Sequence, residues 1–177
     1  MEVTALWRPA TWSARGGEGS VVGVYARCVA GGRVAKEEQN LSRNELGSLL
    51  SEDRMTRDLG VEFVELDPER MVATMPVDER HLQPFGYLHG GVSVVLAESV
   101  ASIGAYLNCP PGKAAFGSEI NASHLRPKRA GSVLTATGTP VHVGKRSQVW
   151  QVKIEDESGK AVCAARCTVA IVDLESR

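Results

Sequence analysis

One glutamate interrupts a long apolar segment of this chain. Glu98 stands within residues 90–107, where almost every other side chain is apolar or small. A helix with apolar residues all round is normally buried, and glutamate is rarely buried unless it is paired or functional. Glu98 is therefore a candidate nucleophile or general base. An ion pair with an arginine, or a position at a wet edge, is the structural alternative.

Hydrogen-bond donors precede this glutamate in the sequence. Gln83 and His89 lie in a polar loop, and the predicted helix then opens with Gly90 and Gly91. Glycine leaves backbone N–H groups open to a ligand, and the positive end of the helix dipole stabilises an oxyanion. A carboxylate that attacks a carbonyl, or activates a water to do so, completes the requirements for acyl transfer. This chemistry needs no metal ion and no cofactor.

Ser102 and the helix spacing add two constraints. Ser102 lies four residues after Glu98 on the same helix face, where its hydroxyl can hold the carboxylate. Gly90 lies eight residues before Glu98, which corresponds to about 12 Å along the axis. One carbonyl carbon cannot easily touch both groups. Two antiparallel copies of the helix would bring Glu98 of one chain near Gly90 of the other, so the spacing favours a homodimer with shared sites.

Other catalytic arrangements fit the sequence less well. Gly91-Val92-Ser93 resembles part of a nucleophile elbow, but Val95 stands where that motif has glycine, which argues against a serine nucleophile. The histidines and Glu98 lack the spacing of a helical zinc motif. His124 and His142 fall on predicted strands and stay unassigned.

The composition narrows the function classes. Acidic and basic residues nearly cancel, at 21 against 20, so neither a nucleic-acid footprint nor an acidic tail is indicated. The four cysteines form no C-x-x-C pair, and Cys163 and Cys167 share a strand face as small buried hydrophobes. We expect a cytoplasmic protein. The longest apolar run, residues 92–107, is too short for a membrane span, so no membrane partner is expected.

The elements around the helix indicate one domain in residues 41–177. Residues 1–40 carry glycine pairs and scattered arginines without a period, and are interpreted as a poorly ordered extension or a start assigned too early. After a short helix near 42–50, the pattern predicts a hairpin, the long helix and a four-strand meander: 61–66, 71–77, 90–107, 114–125, 133–143, 147–155 and 161–172. The simplest arrangement is an α+β fold with one antiparallel sheet wrapped around one central helix.

Three segments carry a family resemblance. Residues 83–99, with the sequence QPFGYLHGGVSVVLAES, resemble the hotdog-fold thioesterases of the phenylacetate and 4-hydroxybenzoyl-CoA type. Residues 119–124 and 143–151 are similar to the same subgroup, which includes the 1,4-dihydroxy-2-naphthoyl-CoA thioesterases of menaquinone synthesis and their relative that proofreads the enterobactin pathway. The resemblance covers roughly residues 42–172.

The resemblance implies a hotdog fold and hydrolysis of an aromatic or medium-chain acyl-CoA. Glu98 would be the nucleophile or general base, and Ser102 would steady it. The Gly90 amide would polarise the thioester carbonyl, while Gln83 and His89 would orient the thioester and the leaving group. The family site lies across a dimer interface, and dimers commonly pair into tetramers. CoA would enter only as part of the substrate.

Further residues are expected to bind the substrate. Gly91 offers a second amide at the helix start, and the CoA phosphates need surface cations. The candidates, chosen by charge and loop position, are Arg126, Lys128, Arg129, Lys145 and Arg146. Ordinary solvated charge explains these five equally well. A hotdog dehydratase or hydratase, and a non-catalytic acyl-CoA-binding protein, are the alternative functions.

Overall fold

The computed structural model describes residue 50 and residues 53–174 of the 177-residue chain. The predicted extension at residues 1–40 lies outside the described residues, and so does the predicted helix near 42–50 apart from Leu50. The first complete element is a short helix, α1 (Arg54–Asp58). Asp53 caps α1, because its side chain accepts a hydrogen bond of 3.2 Å from the Thr56 N–H.

Six strands form one antiparallel sheet in the order β1-β2-β4-β5-β6-β3. One long helix, α2 (Gly90–Leu107), connects the second strand to the third and contacts all six strands. The predicted α+β hotdog architecture, a sheet against one long helix, is confirmed. The strand bounds are β1 (Glu62–Asp67), β2 (Arg70–Pro76), β3 (Lys113–His124), β4 (Val133–Val143), β5 (Ser147–Asp156) and β6 (Ala161–Asp173).

The predicted four-strand meander is wrong in one strand. β4, β5 and β6 are neighbours in order, but β3 pairs with β6 at the edge of the sheet, and β4 pairs with β2. The reason is the length of α2: its 18 residues extend about 27 Å, and the four strand spacings between β2 and β3 amount to about 19 Å. The helix therefore carries the chain across the sheet before β3 begins.

Two glycines, which have no side chain, let α2 approach the sheet closely. A Cβ atom on Gly104 would lie 2.5 Å from a ring carbon of Trp150, and one on Gly138 of β4 would lie 2.6 Å from Val100 Cγ1. Such distances do not occur between real side chains, so these two glycines set the spacing of helix and sheet. Trp150 is fully buried beneath the helix, which assigns it to the core.

By length and composition alone, α2 is apolar enough to cross a membrane, contrary to the expectation from residues 92–107. Its buried face, however, packs on the sheet through Leu96, Ala97, Val100 and Ala101. That packing places one face of the helix in the core of the domain.

Candidate active site

The loop before α2 is a tight turn that fixes Gln83. The Gly86 N–H donates to the Gln83 carbonyl at 2.9 Å, and the Gln83 N–H donates to the Tyr87 carbonyl at 2.8 Å. Pro84 occupies the second position of this turn, where its fixed φ is favourable, and Gly86 follows with φ +78°. The Oε1 atom of Gln83 accepts from the Phe85 N–H. This leaves the amide NH₂ of Gln83 as the group with donors to offer.

Buried His81 ties this loop to the rest of the domain. Its Nδ1 atom accepts from the Asp78 N–H at 2.9 Å, and its Nε2 atom lies 3.1 Å from the Leu59 carbonyl. Because a carbonyl only accepts, the proton is assigned to Nε2. The backbone carbonyl of His81 then accepts from the His89 N–H at 2.8 Å. His81 therefore has a structural role that determines where α2 begins.

His89 and Gly90 form the start of α2. His89 is the N-cap, and its Nδ1 atom accepts from the Gly91 N–H at 2.9 Å. The His89 proton is thus assigned to the exposed Nε2 atom, which is free to donate. The Gly91 amide is already engaged within the chain, so the expectation that it is open to substrate is not met. The Gly90 N–H has no acceptor among the described residues.

His124, which the sequence left unassigned, covers Gly90. A Cβ atom on Gly90 would lie 2.8 Å from His124 Nε2. Both residues border a cleft of about 380 Å³ whose walls also include Gln83, Tyr87 and Arg126. Nothing in the strand pattern marks this role, because His124 is the last residue of β3 and only the crossing of α2 brings β3 over the helix start.

Glu98 lies two turns further along α2, half-buried at the edge of a second cleft. This cleft has a volume of about 360 Å³ and is lined by Asp53, Met55, Val95, Ser99, Ser102 and Ile103 beside Glu98. In the described part of the chain, no arginine or lysine forms an ion pair with Glu98. The ion-pair alternative is therefore not met there, while a half-buried position beside an open cleft fits both a wet edge and a catalytic carboxylate.

Two neighbours determine the environment of the Glu98 carboxylate. Ser102 shares its cleft, but among residues 53–174 no hydrogen bond joins the two side chains. Gly117 of β3 lies against the carboxylate: a Cβ atom there would lie 3.2 Å from Glu98 Cδ and closer still to Oε1. β3 is irregular between Gly117 and Glu119, and the bulged Ser118 donates to the Thr168 carbonyl at 3.0 Å.

Lys128 and Arg129, expected to bind phosphate, are engaged within the chain. The Lys128 ammonium forms an ion pair with Asp156, and both side chains are largely buried. The Arg129 guanidinium stacks 4.2 Å above the Tyr87 ring and donates to the Tyr87 hydroxyl at 2.8 Å. A charge in a loop looks the same in the sequence whether or not it is paired, so the sequence could not show these contacts.

The other three cations are exposed. Arg126 borders the Gly90 cleft and also donates to the Ala161 carbonyl, whereas Lys145 and Arg146 lie in the turn between β4 and β5. Of the five predicted phosphate ligands, the structure therefore brings Arg126 to the Gly90 cleft.

Cys163 and Cys167 are buried free thiols on β6, as the sequence predicted. Burial, with the carboxylates of Glu98 and Glu119 nearby, raises the pKa of Cys167 to about 11. The thiol is therefore protonated near neutral pH and is no nucleophile. The described residues contain no cluster of three or more His, Cys, Asp or Glu side chains that could hold a metal ion.

Known proteins share this sequence and fold. The thioesterase superfamily model matches residues 85–163. A protein of Listeria monocytogenes called 1,4-dihydroxy-2-naphthoyl-CoA hydrolase is 52% identical over 113 residues, covering 64% of this chain and 91% of the relative. An Escherichia coli protein with the same name is 46% identical over 123 residues, covering 70% and 90%. A Haemophilus influenzae thioesterase structure superposes with a TM-score of 0.70 at 41% identity, covering 78% of this chain and 96% of that one.

The chain belongs to the thioesterase superfamily. The reaction class is therefore thioester hydrolysis, and the resemblance found in residues 83–99, 119–124 and 143–151 is confirmed.

Proposed function

We propose that this thioesterase hydrolyses an aromatic acyl-CoA at a site shared by two copies of the chain. 1,4-Dihydroxy-2-naphthoyl-CoA is the substrate we favour, because two relatives that are 52% and 46% identical carry that name. The observation that carries the proposal is that α2 contains two groups suited to this reaction, eight residues apart. One is the Gly90 N–H, which has no acceptor among the described residues. The other is Glu98, which forms no ion pair with a cation of that same part of the chain.

The Gly90 cleft is the place for the thioester carbonyl. Its oxygen would accept from the Gly90 N–H, at the positive end of the helix dipole. The Gln83 amide and the His89 Nε2–H are the additional donors that orient the thioester and the leaving sulfur. His124 lies beside Gly90 in the wall of this cleft. Arg126 at the rim is the cation nearest to this cleft for a CoA phosphate.

Glu98 is the group that drives the attack. Either its carboxylate adds to the carbonyl carbon, or it removes a proton from a water that does so. In both cases the carbon–sulfur bond breaks, and the leaving sulfur takes up a proton to give the CoA thiol. Attack by water gives the acid directly, whereas attack by the carboxylate gives a mixed anhydride that water then hydrolyses to the acid and free Glu98. Ser102 is the residue we assign to holding Glu98 once substrate fills the cleft.

The strand β3 supports a shared site. Gly117 lies against Glu98 and His124 lies against Gly90, seven residues apart on this one strand. β3 is an edge strand with a long row of exposed residues, including Phe116, and such edges readily pair with another strand. Antiparallel pairing of two β3 strands, centred between Ile120 and Asn121, places His124 of one copy across from Gly117 of the other. Each Gly90 would then face the partner's Glu98.

Such dimers are expected to pair into tetramers, as the family resemblance implies. Light scattering after size-exclusion chromatography measures the mass of the assembly. An active monomer would contradict the shared site.

A thiol-release assay tests the proposed reaction. Wild type is measured against aromatic and aliphatic CoA esters, including 1,4-dihydroxy-2-naphthoyl-CoA, beside Glu98→Gln. We expect the highest kcat/KM with the naphthoyl ester, and a loss of at least about 100-fold in Glu98→Gln with the fold retained. A variant as active as wild type would refute the role of Glu98. Wild type inactive on every ester would favour binding without catalysis.

A further inference from the structure

We propose that Asp156, at the far end of β5, is a positioning residue for the active-site loop and acts through Lys128. The inference rests on the proposed function, because the loop in question carries Gln83 and His89. Asp156 is distant in sequence from both, and it has no contact with either cleft among the described residues.

Asp156 is the centre of a saturated cluster of hydrogen bonds. Its Oδ1 atom accepts from the Ser158 N–H at 2.9 Å, the Ser158 hydroxyl at 2.7 Å and the Lys160 N–H at 3.0 Å. Its Oδ2 atom pairs with the Lys128 ammonium. The two oxygens therefore have separate tasks: Oδ1 caps the turn between β5 and β6, and Oδ2 holds Lys128.

The burial of this ion pair makes it rigid. The side chain of Asp156 is 4% exposed and that of Lys128 is 17% exposed. Surface ion pairs contribute little because both side chains move freely in water. A buried pair with every acceptor site of one partner filled has no such freedom, and removing either partner leaves the other unpaired. Lys128 therefore has one defined position.

The backbone of Lys128 holds the loop that carries Gln83 and His89 in place through a hydrogen bond. The Lys128 carbonyl accepts from the Leu88 N–H at 2.7 Å, and Leu88 directly precedes the N-cap His89. The next residue, Arg129, stacks on Tyr87 at 4.2 Å. Two successive residues of the connection between β3 and β4 thus hold two successive residues of the loop.

The orientation of the Gly90 amide depends on these contacts. Leu88 and His89 precede Gly90 in the chain, so a shift of Leu88 turns the peptide planes that aim the Gly90 N–H. Misplacing a catalytic group by about 1 Å costs roughly 100-fold in rate, and we expect about a tenfold loss from a partial shift. Lys128 therefore contributes a structural anchor where the sequence suggested a phosphate ligand.

The test compares Lys128→Met, Asp156→Asn and the double variant with wild type. We expect kcat to fall about tenfold in each single variant while KM changes less than about threefold. The double variant should lose no more than either single one, because both break the same link. Lys128→Arg, which keeps the cation, should restore most of the activity. Lys153→Met is the matched control, since it breaks an exposed ion pair with Glu155 on the same strand.

Hydrogen exchange provides a readout that does not depend on catalysis. Amides in residues 82–92 should exchange faster in Lys128→Met and Asp156→Asn than in wild type. In Lys153→Met their exchange rates should equal those of wild type. If kcat stays within about twofold of wild type while Tm falls, the pair only stabilises the fold and the proposal is overturned. If wild type hydrolyses no ester, hydrogen exchange alone tests the proposal. Exchange rates of residues 82–92 that are the same in Lys128→Met, Asp156→Asn and wild type would then overturn the proposal that Lys128 anchors the loop. Should Asp156→Asn fail to fold for want of the turn cap, Lys128→Met leaves Oδ1 intact and carries the test.

Discussion

The imidazole of His124 covers the first residue of helix α2, with its Nε2 atom 2.8 Å from where a Cβ atom on Gly90 would stand. A Cβ atom at that distance must displace the imidazole or turn the peptide that carries the Gly90 N–H. A larger residue at position 90 therefore requires one of these two movements, and β3 places the imidazole beside the residue whose amide we assign to the thioester carbonyl.

Gly90→Ala is expected to lower kcat/KM about 100-fold, because it misplaces the amide. His124→Ala removes the obstacle, so the double variant Gly90→Ala/His124→Ala should be more active than the product of the two single effects predicts. Steady-state kinetics of the four proteins give this coupling. The matched control is His142→Ala, which removes an exposed histidine of β4. Combined with Gly90→Ala, it should not raise the kcat/KM of that variant. Strictly additive effects would show that His124 does not constrain Gly90.

Gly117→Ala tests the contact between β3 and Glu98. A Cβ atom at position 117 overlaps the space of the carboxylate, so Glu98 must take another rotamer and lose its aim at the carbonyl. We expect kcat to fall roughly 100-fold with a small change in Tm, since position 117 is exposed. Ser118→Ala, on the adjacent bulge residue, is the control and should retain activity. Equal kinetics for Gly117→Ala and wild type would show that Glu98 need not lie against Gly117.

Asp156 makes stability depend on pH. The Lys128 ammonium, followed by the Ser158 hydroxyl and the Lys160 N–H, holds the pKa of its carboxyl well below the usual range. A carboxyl with a depressed folded pKa adds stability that is present above its unfolded pKa, about 3.9, and is lost as pH falls through the folded value. Asp156→Asn should therefore melt below wild type at neutral pH.

The Tm difference for Asp156→Asn should narrow as pH falls below about 4. Thermal melts followed by circular dichroism between neutral and acid pH measure it. Asp58→Asn, at an exposed position, is the control, and its Tm should equal that of wild type at every pH. A difference that stays constant down to about pH 2 would show that ionisation of Asp156 is not its source.

The sequence indicated those parts of the candidate site that depend on local pattern. Glu98, Gly90 and the helix that joins them were recognisable because one charge in an apolar helix and a glycine pair at its start are features of residues adjacent in the chain. The predicted strand ranges lie close to those observed for the same reason.

Long-range contacts remained hidden. The position of β3 in the sheet depends on how many strands α2 spans. The alternation of apolar and polar residues within β3 does not depend on that number, so it could not predict the position. His124 and Gly117 could therefore not be linked to Gly90 and Glu98. The ion pair of Lys128 remained hidden for a similar reason, since its partner Asp156 is 28 residues away and no short-range pattern joins them.

Complementation between inactive chains tests whether Gly90 and Glu98 act from different copies. Glu98→Gln removes the carboxylate, and Gln83→Ala removes a donor from the Gly90 cleft. In a mixed dimer, one shared site receives Gln83 from the first chain and Glu98 from the second, and so is intact. Random exchange makes half of the dimers mixed, each with one intact site of two, so about a quarter of wild-type activity should return.

Unfolding and refolding the two variants together, against each refolded alone, measures this recovery. The matched control mixes Glu98→Gln with Ser102→Ala, whose altered residues lie in the same cleft and cannot complement. A site built from one chain contains both Gln83 and Glu98 of that chain, so every site in every mixture would remain defective. Absence of recovery, with mixed dimers demonstrated by mass spectrometry, would therefore place the whole reaction within a single copy.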